Sequence, residues 1–332
     1  METNDLMRRT RVRLAALVLA GLVAFPGLAS AKDKVVVYQA FQSLNYLPLY
    51  VGIDTGTFAA HGLDVEKVTA GSGAAGVSAV IGGQSTFSLQ DPMTAVLANL
   101  RGAKLTNVAM VVDGAPVWII VPKSSPITSV AGLKGNNVAT AIPPSTSTYL
   151  LQRLAKAQNL PIKLDTVQLG TEAAPVTVGR DAAGAVYEPQ LDQALSAGDR
   201  ILYAFTQHFP GGYAFSTIDT LQSTVTSKPA LVQAFVTGLA DAEHTIHARP
   251  ELAVQIAEQE FPTLPKPIVQ AAVARMAAAD VYPQDPSIST QAFANALALQ
   301  VFVGNVKSGQ VSYADSVDNQ FALAAGKAEA NK

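Results

Sequence analysis

Short β-branched runs alternate with helix-forming segments along most of the chain, and this alternation limits the possible folds most narrowly. Lys34–Tyr38 and Val138–Ala141 are short and mostly apolar, which is typical of buried strands. Each is followed by a turn and a helical pattern, and one such helix carries Leu150, Leu151 and Leu154 on a single face. A β-α-β-α order predicts parallel or mixed sheets with helices on their faces.

The strand and helix rhythm starts twice, which predicts two α/β lobes of unequal size. A chain of 332 residues also exceeds the roughly 250–300 residues at which a single core stops growing. We expect lobe 1 to comprise residues 32–121 together with about 222–332, and lobe 2 to comprise residues 122–221. The segment Val121–Pro126 is the expected first crossing, and a hinge would lie between the lobes.

The composition excludes several function classes. With 49% hydrophobic residues, most of the chain is able to form a core, so extended disorder is excluded. The sequence contains no cysteine, which removes disulfides, cysteine nucleophiles and iron–sulfur clusters. A formal net charge of -2 gives no electrostatic basis for binding nucleic acid. We expect no cofactor, no metal and no nucleic acid partner.

The N-terminal segment has the pattern of a secretory signal peptide. Four arginines lie within residues 8–13, an apolar run covers residues 14–28, and Ala29–Ala31 is a small-x-small cleavage site. The apolar run is shorter than the roughly 20 residues of a spanning helix. We therefore predict residues 1–31 as a signal peptide cleaved near Ala31, which would place the mature protein in the periplasm. The general and twin-arginine export routes both stay open.

Several motifs, in order along the chain, resemble one family of exported proteins. The motifs are YLPLYVG at 46–52, HGLDV at 61–65, GSG at 71–73, ITSVAGLKG at 127–135 and DAAGAVYEP at 181–189. They are similar to those of the solute-binding proteins of ABC importers, in the nitrate/sulfonate/taurine group with its thiamine-precursor relatives. Gly132 departs from the pattern, since the group usually has aspartate there.

The resemblance implies a bilobed type II periplasmic binding protein that closes on a small solute by a hinge motion. It would deliver the solute to a complex of permease and ATPase, act as a monomer and catalyse no reaction. Two alternatives stay open. One is an enzyme of the thiamine-precursor-synthase type on the same fold, which would need a histidine and cysteine cluster that this chain lacks. The other is an exported sensory binding protein.

The candidate site residues come from loops that follow strands, because open α/β sheets bind ligands outside the carboxyl ends of their strands. These loops and the strand leading to the first crossing offer amides, hydroxyls, carboxyls and ring faces. The candidate ligand-binding residues are Phe41, Gln42, Asn45, Tyr46, Ser72, Gly73, Gln90, Asp91, Trp118, Ser145, Thr146, Ser147, Tyr187 and Glu188. Trp118 is either a core residue or part of a cleft wall, and the resemblance implies that Glu188 faces the cleft or supports the hinge.

The chemistry of these loops predicts an organic anion, such as a sulfonate or carboxylate. Four hydroxyls at Ser145–Thr148 open a helix, so hydroxyls, free N–H groups and the helix dipole together form a neutral anion receptor. The rings of Phe41, Tyr46 and Tyr187 favour a ligand with an apolar body. Asp91 is either a plain helix cap or a group that favours a ligand with an amine or another donor.

Overall fold

The computed structural model describes residues 31–330, and the side chains up to residue 326. The predicted signal peptide therefore lies outside the described residues except for Ala31. Within the described range, none of the helices combines the length and the apolar character needed to cross a bilayer.

The described strands form two five-stranded sheets. The first sheet contains β1 (Asp33–Gln39), β2 (Leu63–Thr69), β3 (Phe87–Gln90), β4 (Leu105–Val112) and β10 (Ser216–Leu221). The second contains β5 (Trp118–Pro122), β6 (Asn137–Ala141), β7 (Lys163–Val167), β8 (Ala183–Val186) and β9 (Asp199–Ala204). Helices flank both sheets, so the predicted fold class is confirmed.

The helices up to residue 196 lie between strands, whereas those of the last third follow β10 with no further strand between them. The helices between strands are α1 (Leu47–Asp54), α2 (Thr57–Ala60), α3 (Gly73–Ile81), α4 (Pro92–Asn99), α5 (Thr146–Ala157), α6 (Ala174–Thr177) and α7 (Gln190–Ser196). The later helices are α8 (Gln222–Ser227), α9 (Pro229–Ala248), α10 (Pro250–Glu260), α11 (Lys266–Ala278), α12 (Thr290–Phe302) and α13 (Gln320–Ala330). Several of them return to the first sheet, where α9 packs on α1 and α2.

Both sheets are mixed, and their strand directions bring many loops to one place. The strand order is β2-β1-β3-β10-β4 in the first sheet and β7-β6-β8-β5-β9 in the second. Strands β1, β2 and β3 are parallel, while β10 is antiparallel to β3 and β4. In the second sheet β6 is parallel to β7 and β8, while β5 is antiparallel to β8 and β9. The carboxyl ends of β1, β2 and β3 therefore share an edge with the amino end of β10.

The chain crosses between the sheets at residues 113–117 and returns at residues 205–215. Strand β5 thus belongs to the second sheet although the predicted lobe 1 ran to residue 121. Strand β10 belongs to the first sheet although the predicted lobe 2 ran to residue 221. Strand pairing is a long-range property that the local sequence pattern does not carry. The division into lobes itself stays a prediction.

The segment from Leu47 to Ala60 forms two helices and not one, because the chain turns sharply between α1 and α2. Gly56 has a φ of 77°, which is the left-handed region that glycine adopts without strain. The turn lets α2 pack closely against α9, where the hydroxyl of Thr57 donates to the backbone carbonyl of Gly238 at 2.6 Å.

Strand β4 is at an edge of the first sheet, yet all eight of its residues are buried. The segment before α13 covers that edge. The backbone N–H of Asn107 donates to the carbonyl of Ser316 at 3.0 Å, and the N–H of Asp318 donates to the carbonyl of Asn107 at 2.9 Å. The covered edge removes a row of exposed backbone groups that would otherwise pair with other chains.

An aromatic stack joins α9 to the first sheet. The ring of Phe235 lies 4.8 Å from that of Phe58 and 4.3 Å from that of Phe87. Gly238, one turn further along α9, leaves room for this stack, since a Cβ atom there would lie 2.7 Å from a ring carbon of Phe58. The close contact between α2 and α9 therefore requires the absence of a side chain at Gly238.

We expect Gly238→Ala to lower the free energy of unfolding by about 1–3 kcal/mol, because overpacking against Phe58 exceeds the gain in helix propensity. Gly326→Ala is the matched control, since Gly326 lies in α13 and a Cβ atom there would have no neighbour within 4 Å. That variant should raise stability by up to about 1 kcal/mol. Urea unfolding of both variants checks this, and equal effects would contradict the packing account.

Candidate functional site

A cavity of about 490 Å³ lies where the loops of the two sheets meet. Its lining includes residues that directly follow the carboxyl ends of β1, β2 and β3, and others that follow β6, β7 and β8. The amino end of β10 adds Phe215 and Ser216. The cavity therefore lies at the end of the strands where ligands of open α/β sheets bind.

The structure brings most of the predicted site residues together in this lining. Those that line the cavity are Phe41, Tyr46, Ser72, Gly73, Gln90, Asp91, Ser145, Thr146 and Tyr187. Those outside the lining are Gln42, Asn45, Trp118, Ser147 and Glu188. Contact of the first group with a ligand stays a prediction.

The residues outside the lining have other surroundings in the fold. The amide of Gln42 donates to the backbone carbonyl of Glu260 at 2.8 Å. Asn45 is fully buried in a short 3-10 turn. Trp118 is 3% exposed and packs in the core, which favours its interpretation as a core residue over that as part of a cleft wall. The hydroxyl of Ser147 is buried within 3.0 Å of the Ser145 hydroxyl.

Glu188 holds neighbouring elements together. Its carboxylate lies 3.1 Å from the guanidinium of Arg275 on α11, which also reaches Asp192 on α7 at 2.9 Å. Burial raises the pKa of Glu188, as does the nearby Asp192 carboxylate, and Arg275 opposes both. The carbonyl of Glu188 also accepts from the hydroxyl of Ser43 at 2.8 Å. Whether Glu188 faces the cleft or supports the hinge, as the resemblance implies, stays a prediction.

Asp91 stands between two walls of the cavity. One carboxylate oxygen accepts from the N–H of Met93 at 2.8 Å, which caps α4. The other accepts from the hydroxyl of Thr146 on α5 at 2.5 Å. Burial raises the pKa of Asp91 to about 6, partly opposed by these two hydrogen bonds. Helix α4 follows strand β3 of the first sheet, and α5 follows strand β6 of the second. This hydrogen bond therefore connects the two sides of the cavity.

The start of α5 differs from the predicted anion receptor. The N–H of Ser147 donates to the hydroxyl of Tyr187 at 3.0 Å, and that hydroxyl lies 3.3 Å from the Ser145 hydroxyl. The hydroxyl of Thr148 is buried and donates to the carbonyl of Ala141 at 2.5 Å. Only Ser145 and Thr146, of the four hydroxyl residues, line the cavity.

The start of α3 forms a second part of the lining. Ser72 caps the helix by accepting from the N–H of Ala75 at 3.2 Å. A Cβ atom at Gly73 would lie 2.5 Å from the Oε1 atom of Gln90, so the helix approaches β3 closely only with glycine at this position. Gln90 is 1% exposed, and its amide nitrogen donates to Asp219 at 2.9 Å and to Ser88 at 3.1 Å.

Four rings form what we call the aromatic wall: Phe41, Tyr46, Tyr187 and Phe215. The ring of Phe41 lies 5.6 Å from that of Tyr46 and 5.7 Å from that of Tyr187. Tyr187 in turn lies 6.0 Å from Phe215. Burial raises the pKa of Tyr187 to about 12, so its hydroxyl is protonated at neutral pH. The wall combines apolar rings with the hydroxyl groups of two tyrosines, and Phe41 is its most exposed ring.

Sequence reasoning missed several lining residues, among them Tyr149, Phe215, Ser216 and Gln300. Tyr149 follows Ser145 by one helical turn, and this spacing was the signal that could have placed it on the same side of α5. Phe215 and Ser216 lie at the start of β10, a segment with many polar residues that was not predicted as a strand. Gln300 comes from α12, and no local pattern connects that helix to the loops.

The lining has a single formally charged side chain, that of Asp91, and contains no lysine, arginine or histidine. Arg153 is instead stacked over the ring of Phe209 at 5.9 Å, and Arg180 is paired with Asp165 and Asp181. A ligand in the cavity would therefore meet one carboxylate, several hydroxyls and amides, and the aromatic wall.

Comparison with known proteins supports this geometry. The model of a family described as NMT1/THI5 like matches residues 43–253. The search of curated proteins found no match. Among solved structures, the alkanesulfonate-binding protein SsuA from Xanthomonas axonopodis pv. citri, bound to MOPS, has 19% identity and a TM-score of 0.70. The alignment covers 87% of this chain and 98% of that one.

Two further structures show the range of proteins with this fold. The periplasmic nitrate-binding protein NrtA from Synechocystis PCC 6803 has 15% identity and a TM-score of 0.71, over 90% of this chain and 89% of that one. The desulfurization enzyme DszB has 12% identity and a TM-score of 0.68, over 90% of this chain and 100% of that one. At these identities the likeness establishes the shared fold, and the resemblance predicted from the motifs is confirmed.

A second buried carboxyl lies near the aromatic wall. Glu172 is fully buried in the loop after β7, and its charge would raise the pKa of Tyr187. Burial raises the pKa of Glu172 from 4.5 to about 7, and neither carboxyl oxygen has a hydrogen-bond partner among the described residues. The folded chain therefore keeps this proton over a pH range in which the unfolded chain has lost it.

We expect the stability contributed by Glu172 to fall as the pH rises from about 4.5 through 7, because the unfolded chain ionises first. Glu172→Gln removes this cost, so it should raise the free energy of unfolding by up to about 3 kcal/mol at pH 8 and change it little at pH 4. Urea unfolding at both pH values checks this. The exposed Glu66→Gln is the matched control, and equal effects of Glu172→Gln at both pH values would contradict the account.

Proposed function

The chain belongs to the NMT1/THI5-like family, and on that premise we propose that it is the substrate-binding protein of an ABC importer. It would capture a small solute in the cavity and deliver it to a permease. The observation that carries this proposal is the position of the cavity, which both sheets line through the loops at their strand ends. The named functions of SsuA and NrtA point in the same direction.

Capture would proceed by closure of the two sides on the solute. The crossings at residues 113–117 and 205–215 are the only places where the described chain passes between the two sheets, so a hinge would lie there. A solute that contacts both sides stabilises the closed arrangement by its differential affinity. The hydrogen bond between Thr146 and Asp91 would add to the same arrangement.

The lining favours binding over catalysis. General acid–base chemistry needs a positioned proton donor and acceptor, and nucleophilic chemistry needs an activated nucleophile. Asp91 is the one carboxyl group in the lining, and no histidine, lysine or cysteine accompanies it. The desulfurization enzyme shares the fold, but a shared fold does not carry a shared reaction.

Two classes of ligand are candidates for the cavity. The organic anion expected from the sequence would place its charge at the starts of α3 and α5, where the helix dipoles favour negative charge. The carboxylate of Asp91 opposes an anion and favours a group that donates hydrogen bonds. Both classes would use the aromatic wall for the body of the ligand.

The proposed function requires that the chain be exported to the periplasm. Cleavage near Ala31 would release the mature chain into the periplasm, where it would meet the permease and ATPase complex as a monomer. The periplasmic proteins among its structural relatives support this location.

A thermal-shift screen of the purified protein against a library of small solutes tests the proposal. A solute at about 100 times its Kd adds roughly 2.7 kcal/mol of stability, which is a readily measured rise in Tm. We expect at least one solute to raise the Tm with a saturable dose response and to be recovered chemically unchanged. Recovery of a converted product, or no saturable solute, would contradict the proposal.

The aromatic wall provides a variant test on any solute that the screen identifies. Phe41→Ala should weaken its binding roughly tenfold, because about 1–2 kcal/mol of apolar contact is lost. Phe302→Ala is the matched control, since Phe302 is another half-buried phenylalanine but lies on α12, outside the lining and outside both crossings. Equal losses in the two variants, measured by calorimetry, would place the solute outside this cavity.

A further inference from the structure

We propose that the cavity selects an organic ammonium ion, with the ammonium group at Asp91 and the apolar body against the aromatic wall. This inference deepens the proposed function and rests on it. It departs from the organic anion that the sequence predicts. The reasons are the acceptors that the lining leaves open and the donors that it has already used.

Asp91 has acceptor capacity to spare. An ionised carboxylate offers about four lone-pair sites, and the hydrogen bonds from Met93 and Thr146 occupy one on each oxygen. The residue is only half-buried and lines the cavity, so a ligand can reach the remaining sites. With a pKa of about 6, raised by burial, the carboxyl group is mostly ionised at pH 7.5.

Gln90 leaves a second acceptor unpaired in the wall next to Asp91. Both hydrogens of its amide nitrogen are engaged, one by Asp219 and the other by Ser88, and this fixes which way the amide points. Its Oε1 atom is buried and has no hydrogen-bond partner among residues 31–330. A buried acceptor without a donor is costly, so this side of the cavity already carries uncompensated negative polarity that favours a cation over an anion. The atom itself packs against Gly73, so the ligand's direct contact is with Asp91.

Two donors at the start of α5 that an anion would need are used within the protein. The N–H of Ser147 at the start of α5 donates to the hydroxyl of Tyr187, and the hydroxyl of Thr146 donates to Asp91. An anion would also place a second negative charge close to the Asp91 carboxylate, with no cationic side chain in the lining to offset it.

The aromatic wall suits a cation with an organic body. Ring faces attract ammonium groups, and the effect is larger where water is partly excluded. A volume of about 490 Å³ is within the range of pockets that hold organic molecules. A small inorganic ion would gain no apolar contact with the four rings. One carboxylate beside aromatic rings thus matches the chemistry of an amine that carries a hydrophobic group.

A panel of compounds with one body and different end groups tests this assignment. Phenethylamine, phenethyl alcohol and 2-phenylethanesulfonate share a phenylethyl body and differ in charge. Calorimetry and thermal shift at pH 7.5 with the purified protein should give the amine at least about tenfold tighter binding than either of the others. The ranking in the unaltered protein is a test by itself, even if a variant fails to fold.

Asp91→Asn should weaken binding of the amine roughly tenfold or more, because the charge-assisted hydrogen bond is lost. Asp285→Asn is the matched control, since exposed Asp285 also accepts a backbone N–H, at 2.9 Å from Ser287, but lies outside the lining. Tighter binding of the sulfonate, an unchanged amine affinity in Asp91→Asn, or no binding of the amine would overturn the inference. The proposed function would survive each of these results if the broad solute screen finds a saturable ligand.

Discussion

The hydrogen bond from Thr146 to Asp91 joins two walls that the chain builds far apart in sequence. Each wall is possible only because parallel strands end at a common edge, so that their loops converge. The antiparallel strand β10 adds its amino end to the same edge of the first sheet. The cavity is thus a consequence of strand direction, and the side chains of the loops determine what it can hold.

The electrostatics of the cavity follow from how its polar groups are paired. Helix starts favour negative charge, yet two donors at the start of α5 are occupied by Tyr187 and Asp91. What stays open to a ligand is the remaining acceptor capacity of the Asp91 carboxylate. The fold is shared with proteins named for sulfonate and nitrate binding, and a shared fold does not determine which ligand a cavity holds.

Much of the fold could be predicted from the sequence, because strand and helix periodicity is local. Strands such as β1 and β6 and the loops that follow them were predicted, and those loops contain most of the lining. Sheet membership of β5 and β10 was not predicted, because pairing between distant strands leaves no local signal. Gln300 on α12 was missed for the same reason, since that helix is far from the loops in sequence. Asn45 and Ser147 were predicted as site residues, but both are buried and lie outside the lining.

A crystal structure of the protein with a solute identified by screening tests the central claim most directly. We expect density for the intact solute inside the cavity, in contact with Asp91 and Phe41 from the first sheet's loops and with Ser145 or Tyr187 from the second's. Density at another surface, contacts with one sheet only, or a chemically altered molecule would contradict the account.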